Sequence, residues 1–261
     1  MTTLILSHGD KGGVGKSTVA TIIASRLYEH GENMAVIETD ARNSGSNAGG
    51  VPDVGPRFSG RVEDIITLPL SDSDEDAEQS VAKLIQVIET LANKGIEYIV
   101  MNTPASASSV IEQEAVGIMI GALLADIGVN LRVTYSLFPS EDSTATAAAA
   151  FAGHVVPTAS QAVLVTNRYL GKLASFDRHL RASEAMKNVP RVELPKASSD
   201  IAQLIVDNKQ TNLAELSSDA ESLDRATRFR IKRWYNDAAD RLLDGIEIDL
   251  TTEESRDGEQ R

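Results

Sequence analysis

The chain has 261 residues, with 25 Lys and Arg against 38 Asp and Glu, a formal net charge of −13, 42% hydrophobic residues and no cysteine. The missing thiols exclude a disulfide framework, an Fe–S or cysteine-zinc site and a thiol nucleophile, while the length suffices for a sizeable core without them. The acidic balance argues against a general nucleic-acid coat, because phosphate binding needs a basic footprint, but it leaves room for a local one.

Met1 leads straight into a strand-like run at 4–7 with no secretory pattern. No apolar stretch approaches the roughly 20 residues that cross a bilayer, so the expected setting is cytoplasmic, with no membrane contact. A helical pattern at 17–30, closed by Gly31, and a second strand at 34–39 follow. Residues 43–60 hold five glycines together with Pro52 and Pro56, a loop long enough to suspect function. The acidic stretch 71–78 reads as a solvated turn. After it, Val81, Leu84, Ile85, Ile88, Leu91 and Ala92 mark one buried face of a helix over 80–94, closed by Gly95. A β-branched strand at 96–101 comes next, and further strands are expected at 131–137, 161–166 and 190–194. The alanine-rich run 144–152 reads as a tightly packed helix, and 219–244 as a C-terminal helix before a polar, frayed tail at 251–261. Short apolar runs alternating with helices predict an α/β fold, a mostly parallel sheet of six or seven strands wound with helices on both faces. The expected organisation is a single domain over 1–250 with a flexible acidic tail at 251–261.

Between the first strand and the first helix stands Asp10-Lys11-Gly12-Gly13-Val14-Gly15-Lys16-Ser17-Thr18. Strand, glycine loop and helix are the context of a phosphate-binding P-loop. The glycines let backbone N–H groups turn toward a phosphate, and the helix N-terminus adds positive potential. Lys16 then reaches the β/γ-phosphates while the Ser17 hydroxyl ligates Mg²⁺. The first glycine of G-x-x-x-x-G-K-[ST] is replaced by Asp10, and a second lysine, Lys11, follows it.

The run K-G-G-V-G-K-S-T resembles the deviant Walker A motif of the ParA/MinD family of ATPases. The resemblance implies a doubly wound P-loop NTPase fold, ATP and Mg²⁺ as ligands, and a homodimer formed around ATP. In it Lys11, matching the family's signature lysine, reaches the partner's phosphates while Lys16 anchors its own. Two facing triphosphates repel, so a lysine that crosses the interface both neutralises charge and couples dimerisation to the γ-phosphate. A polar residue at position 10, where MinD-type proteins usually carry glycine, favours the ParA-like partition branch.

Three further segments are similar to family motifs. The second strand ends Glu38-Thr39-Asp40-Ala41-Arg42-Asn43, which places Asp40 on the aspartate near the Mg²⁺ shell and the attacking water. Tyr98–Pro104 resembles the Walker B stretch, with Asn102 where the family has aspartate; an amide accepts a hydrogen bond from a metal-bound water but brings no charge. Asn167-Arg168 and, further on, Pro195 resemble the segments that line the adenine pocket.

Arg225, Arg228, Arg230, Lys232 and Arg233 put five cations into nine residues beside Trp234 and Tyr235. By resemblance to ParA-like proteins this is the candidate patch for nonspecific DNA; the plainer alternative is a solvated helix face with Trp234 packed inward. The expected activity is a slow, partner-stimulated ATP hydrolase working as a dimer switch for DNA partition or cargo positioning. An activating ParB-like or other adaptor would be its protein partner, and the nucleoid a possible setting. Rival readings are a conjugation-associated ATPase of the TraL or VirC type, a small-molecule kinase or synthetase on the same fold similar to dethiobiotin synthetase, and a nucleotide-binding adaptor that hardly hydrolyses, suggested by Asn102. The four histidines lack ligand spacing, and Ser106, Ser108 and Ser109 are read as helix-capping residues.

Overall fold

A computed structural model describes residues 1–9, 12–39, 54–68, 74–103, 114–137, 151, 153, 155–167, 188–218, 220 and 222–250. Seven strands, β1 (Thr3–His8), β2 (Met34–Glu38), β3 (Ile65–Thr67), β4 (Tyr98–Asn102), β5 (Asn130–Leu137), β6 (Gln161–Asn167) and β7 (Arg191–Leu194), form one sheet in the order β3-β2-β4-β1-β5-β6-β7. Every pairing is parallel. From β1 the chain goes out to β2 and β3, returns to place β4 between β1 and β2, and then continues on the other side of β1 from β5 to β7, so the order reverses beside β1. In open parallel sheets the crevice at the C-terminal ends of the strands at such a reversal is where ligands bind.

Alternation along the strands divides the core in two. Leu4, Leu6, Ala35, Ile37, Ile99, Met101 and Leu164 face one cluster, which includes residues of α2 (Asp74–Asn93) and α3 (Glu114–Asp126). Ile5, Val36, Val100, Val163 and Val165 face the other, built with α1 (Lys16–Glu29), α4 (Ser199–Asp207), α5 (Leu213–Ser218) and α6 (Arg225–Gly245). Side chains that alternate between two buried faces are what a parallel sheet covered on both sides requires.

Several element bounds differ from those read in the sequence. The acidic stretch is not wholly a turn, because α2 begins at Asp74; acidic residues suit the first turns of a helix, where the unpaired N–H groups carry partial positive charge. α6 begins at Arg225 rather than at 219, since Asp224 caps it by accepting the Thr227 N–H at 2.9 Å. β3 is an edge strand of three residues, too short to leave a periodic signal. Of the glycine-rich loop, residues 43–53 lie outside the described residues; from Val54 on, a 3₁₀ turn, Gly55–Phe58, follows, with Val54, Arg57 and Phe58 buried. The helix expected at 144–152, except for residue 151, the serines at 106–109 and the tail at 251–261 lie outside the described residues.

Candidate functional site

β1 ends beneath the phosphate-loop motif, between β4 and β5. A side chain at Gly9 would place its Cβ 2.6 Å from the Ser136 carbonyl oxygen of β5, so only glycine lets the chain leave the strand here. The glycine missing at position 10 is therefore matched by one at position 9. Ser7 ties the loop's far end to the strand by donating its hydroxyl to the Lys16 carbonyl at 2.9 Å.

Gly12 and Gly13 are exposed, Val14 is buried, and Gly15 takes a left-handed φ of 106° at the N-cap of α1. No side chain caps this helix and no acid occupies its first turn. Its first-turn N–H groups and partial positive charge thus suit an anion. Lys16 is buried at the start of α1, and Ser17 and Thr18 are half-buried beside it. A cavity of about 160 Å³ opens next to Ser17 and Thr18, with Arg57 and Lys209 on its wall.

Across the strand ends, Asn102 donates through Nδ2 to Glu38 Oε2 at 2.9 Å and, at a longer 3.4 Å, to Ser17 Oγ. Its Oδ1 is buried and finds no hydrogen-bond partner among the described residues. Glu38, 2% exposed, also accepts at Oε1 from the Val54 and Gly55 N–H groups, both at 2.8 Å. The Asn102 carbonyl accepts from the Thr39 hydroxyl at 2.9 Å, which locks the ends of β2 and β4 together. An orphaned amide oxygen beside a serine hydroxyl and a carboxylate is an all-oxygen donor set, the kind that a small hard cation with its waters prefers. These residues therefore fit a Mg²⁺–nucleotide.

Asn167, the last residue of β6, brings its Nδ2 to 3.8 Å from where a Cβ on Gly15 would lie, so the residue expected at the base sits against the phosphate loop's own backbone. The Pro195 carbonyl accepts from Trp234 Nε1 at 3.0 Å and is thus engaged with α6. Lys11, Asp40 and Arg168 lie outside the described residues. Sequence reasoning passed over Gly9, Glu38 and Arg57. The signal for Glu38 was an acid closing the apolar run Ala35-Val36-Ile37 two residues before Asp40.

The five cations of α6 do not act as one group. Arg230 pairs with Asp200 at 2.6 Å and Arg228 donates to the Ser218 carbonyl at 2.7 Å. For Arg225, Lys232 and Arg233, all exposed, no such partner is found among the described residues. At about 100° per residue these three share a helix face with Phe229, which is 68% exposed. Trp234 packs inward, as the plainer alternative held.

Residues 5–171 match the family model described as the CobQ/CobB/MinD/ParA nucleotide binding domain. Protein MobD of Acidithiobacillus ferrooxidans is 24% identical over 249 residues, covering 94% of this chain and 97% of that protein. The septum site-determining protein MinD of Pyrococcus horikoshii, solved as a complex with Mg-ADP, superposes with a TM-score of 0.52 at 18% identity, covering 95% of this chain and 99% of the other. A ParA family ATPase from Chlorobium tepidum gives 0.52 at 13% identity, over 93% of this chain and 98% of the other. Among the described residues no helix is long and apolar enough to cross a membrane.

Proposed function

Because the chain belongs to the CobQ/CobB/MinD/ParA nucleotide-binding domain family, we propose that it binds ATP with Mg²⁺ through residues 11–18 and hydrolyses it slowly, as a switch between monomer and dimer. The observation that carries this reading is the uncapped N-terminus of α1, placed by Gly9 and Gly15 at the point where strand order reverses. There the exposed backbone of Gly12 and Gly13, the first-turn N–H groups and buried Lys16 receive the phosphates. Bound Mg²⁺ supplies positive charge to the bridging and γ-phosphate oxygens. Ser17 holds it, Asn102 orients its waters, Asp40 positions the attacking water, and Asn167, Arg168 and Pro195 line the base. Lys11 crosses to the partner subunit's phosphates. The adenine carries no charge, so its pocket needs hydrogen-bond donors and acceptors rather than cations.

In the ATP-bound dimer, Arg225, Lys232 and Arg233 form the patch that grips DNA without regard to sequence, and a partner protein ends the cycle by accelerating hydrolysis. The likeness to MobD runs past the end of the family model and through α6, which supports treating residues 1–250 as one functional unit. The test is size-exclusion light scattering and DNA co-sedimentation with ADP, ATP and a slowly hydrolysed analogue, for wild type, Lys11→Ala and the triple variant R225E/K232E/R233E. ATP is expected to dimerise wild type and raise DNA binding. Lys11→Ala loses both effects; the triple variant dimerises but loses DNA, and binding in wild type weakens steeply with salt. If ATP changes neither assembly nor DNA binding, the switch is wrong.

The rival adaptor, which binds nucleotide and hardly hydrolyses it, is motivated by the uncharged Asn102. A turnover raised well above background by DNA or a partner, and abolished by Asn102→Ala, removes it.

A further inference from the structure

We infer that the negative charge of the magnesium site is carried by Glu38, at the end of the neighbouring strand, and that Asn102 is the amide that holds this carboxylate in place. The inference rests on the nucleotide reading above and assigns one of its parts to a different residue.

Glu38 and Asn102 are paired in the register of β2 and β4 and stand side by side at the strand ends. They are only 2% and 4% exposed. Burying a carboxylate is costly unless its charge is used or compensated. Among the groups that reach Glu38, the Val54 and Gly55 N–H groups and the Asn102 amide, at 2.8–2.9 Å, fix where its oxygens point. Asn102 spends its N–H groups on Glu38 and, more weakly, on Ser17, leaving Oδ1 buried and unpartnered among the described residues. An unfilled acceptor of this kind is rare in a folded chain and calls for a donor that arrives with a ligand. A metal-bound water fits that need, since Mg²⁺ keeps several of its waters and binds through few direct protein oxygens.

This arrangement also accounts for the amide at position 102. A carboxylate there would stand about 3 Å from Glu38, and like charges so close disfavour each other strongly. Asparagine keeps the acceptor and removes the repulsion, so one negative charge remains, displaced by one strand. Glu38 also pins the turn at Val54 and Gly55, and a purely structural role in that turn is the alternative that the test must separate.

The test measures ADP affinity by calorimetry with and without Mg²⁺, and thermal stability in both conditions, for wild type, Glu38→Gln, Asn102→Asp and the charge-exchanged pair E38Q/N102D. Glutamine still accepts from the Val54 and Gly55 N–H groups through its oxygen, so E38Q keeps the turn and removes the charge, while its Nε2 faces Asn102 in place of an acceptor and obliges that amide to turn over. Mg²⁺ is expected to raise ADP affinity in wild type by about tenfold or more, and by less than about twofold in E38Q. The exchanged pair recovers the Mg²⁺ effect. N102D without Mg²⁺ melts lower than wild type and regains the loss when Mg²⁺ is added, a result that stands even if E38Q fails to fold. The inference is overturned if E38Q keeps the full Mg²⁺ effect, if the exchanged pair stays as weak as E38Q, or if N102D melts like wild type. A wild type that binds no ADP overturns the nucleotide reading itself, and this outcome is distinguishable because it appears before any variant is compared.

Discussion

Trp234, on α6, donates its indole N–H to the Pro195 carbonyl at 3.0 Å, tying the C-terminal helix to the segment that follows β7. It is the chain's single tryptophan. Its fluorescence therefore reports on the segment proposed to border the base. Mg-ADP is expected to shift or quench the emission, saturating with the affinity measured by calorimetry. Trp234→Phe abolishes the signal and costs about 1 kcal/mol by removing the partner of the Pro195 oxygen. An emission spectrum unchanged at saturating ADP removes Pro195 from the site.

Arg57 is buried and serves as a cap for α4. It donates to the carbonyls of Ile205, Asn208 and Thr211, each at 3.0 Å. Ile205 and Asn208 stand at the C-terminal end of α4, whose last carbonyls have no further turn to receive them, and Thr211 lies in the link to α5. Arg57→Ala is expected to destabilise the fold by roughly 3 kcal/mol, and Arg57→Lys by less, because a point charge replaces a planar fork. Hydrogen exchange over 205–213 should accelerate in both. Protection there equal to wild type would show that α4 does not depend on this contact.

The strands and the phosphate loop were legible in the sequence because their signals are local. Leu4 and Leu6 alternate with Ile5, and the glycine loop follows at once. The long-range partners were not. Glu38 meets Asn102 across 64 residues and Arg57 meets Ile205 across 148, distances over which no periodicity exists. β3 was missed because three residues on a sheet edge bury too little to pattern. The basic run on α6 could be counted, but only the fold shows that Arg228 and Arg230 are spent on the Ser218 carbonyl and Asp200 while Arg225, Lys232 and Arg233 face outward.

Asp224 gives α6 a pH dependence. Its carboxylate accepts from the Thr227 hydroxyl at 2.7 Å and from the Thr227 N–H at 2.9 Å, and these bonds, the side-chain one first, hold its pKa below the usual aspartate value. A depressed folded-state pKa means that the ionised cap stabilises the fold above the unfolded-state pKa, and that this contribution is lost as pH falls through the folded-state value. Asp224→Asn, still a good cap, should melt with a shallower dependence on pH in the acid range, whereas Asp224→Ala should lower Tm by roughly 2–4 °C at neutral pH. Identical acid limbs for wild type and D224N would show that this cap does not titrate with folding.

Gly9 is the position where the phosphate loop tolerates least. The atom that an added Cβ would meet at 2.6 Å is a backbone oxygen of Ser136, and Val14 Cγ2 stands at 3.1 Å on the other side. A side-chain neighbour would rotate away, but the Ser136 carbonyl is held at the end of β5, itself paired to β1 through Ser7–Thr134 and His8–Tyr135. Gly9→Ala therefore forces β1 and β5 apart at the point from which the loop springs. Overpacking of this kind costs about 1–3 kcal/mol, and the displaced loop should lose more than about tenfold in ADP affinity. Gly31→Ala is the control. It sits at positive φ, at 71°, with nothing within 4 Å of an added Cβ and beyond the far end of α1, so it should lower stability while leaving ADP affinity as in wild type. Equal ADP affinity in Gly9→Ala and Gly31→Ala would mean that the approach of β5 does not set the geometry of the phosphate loop.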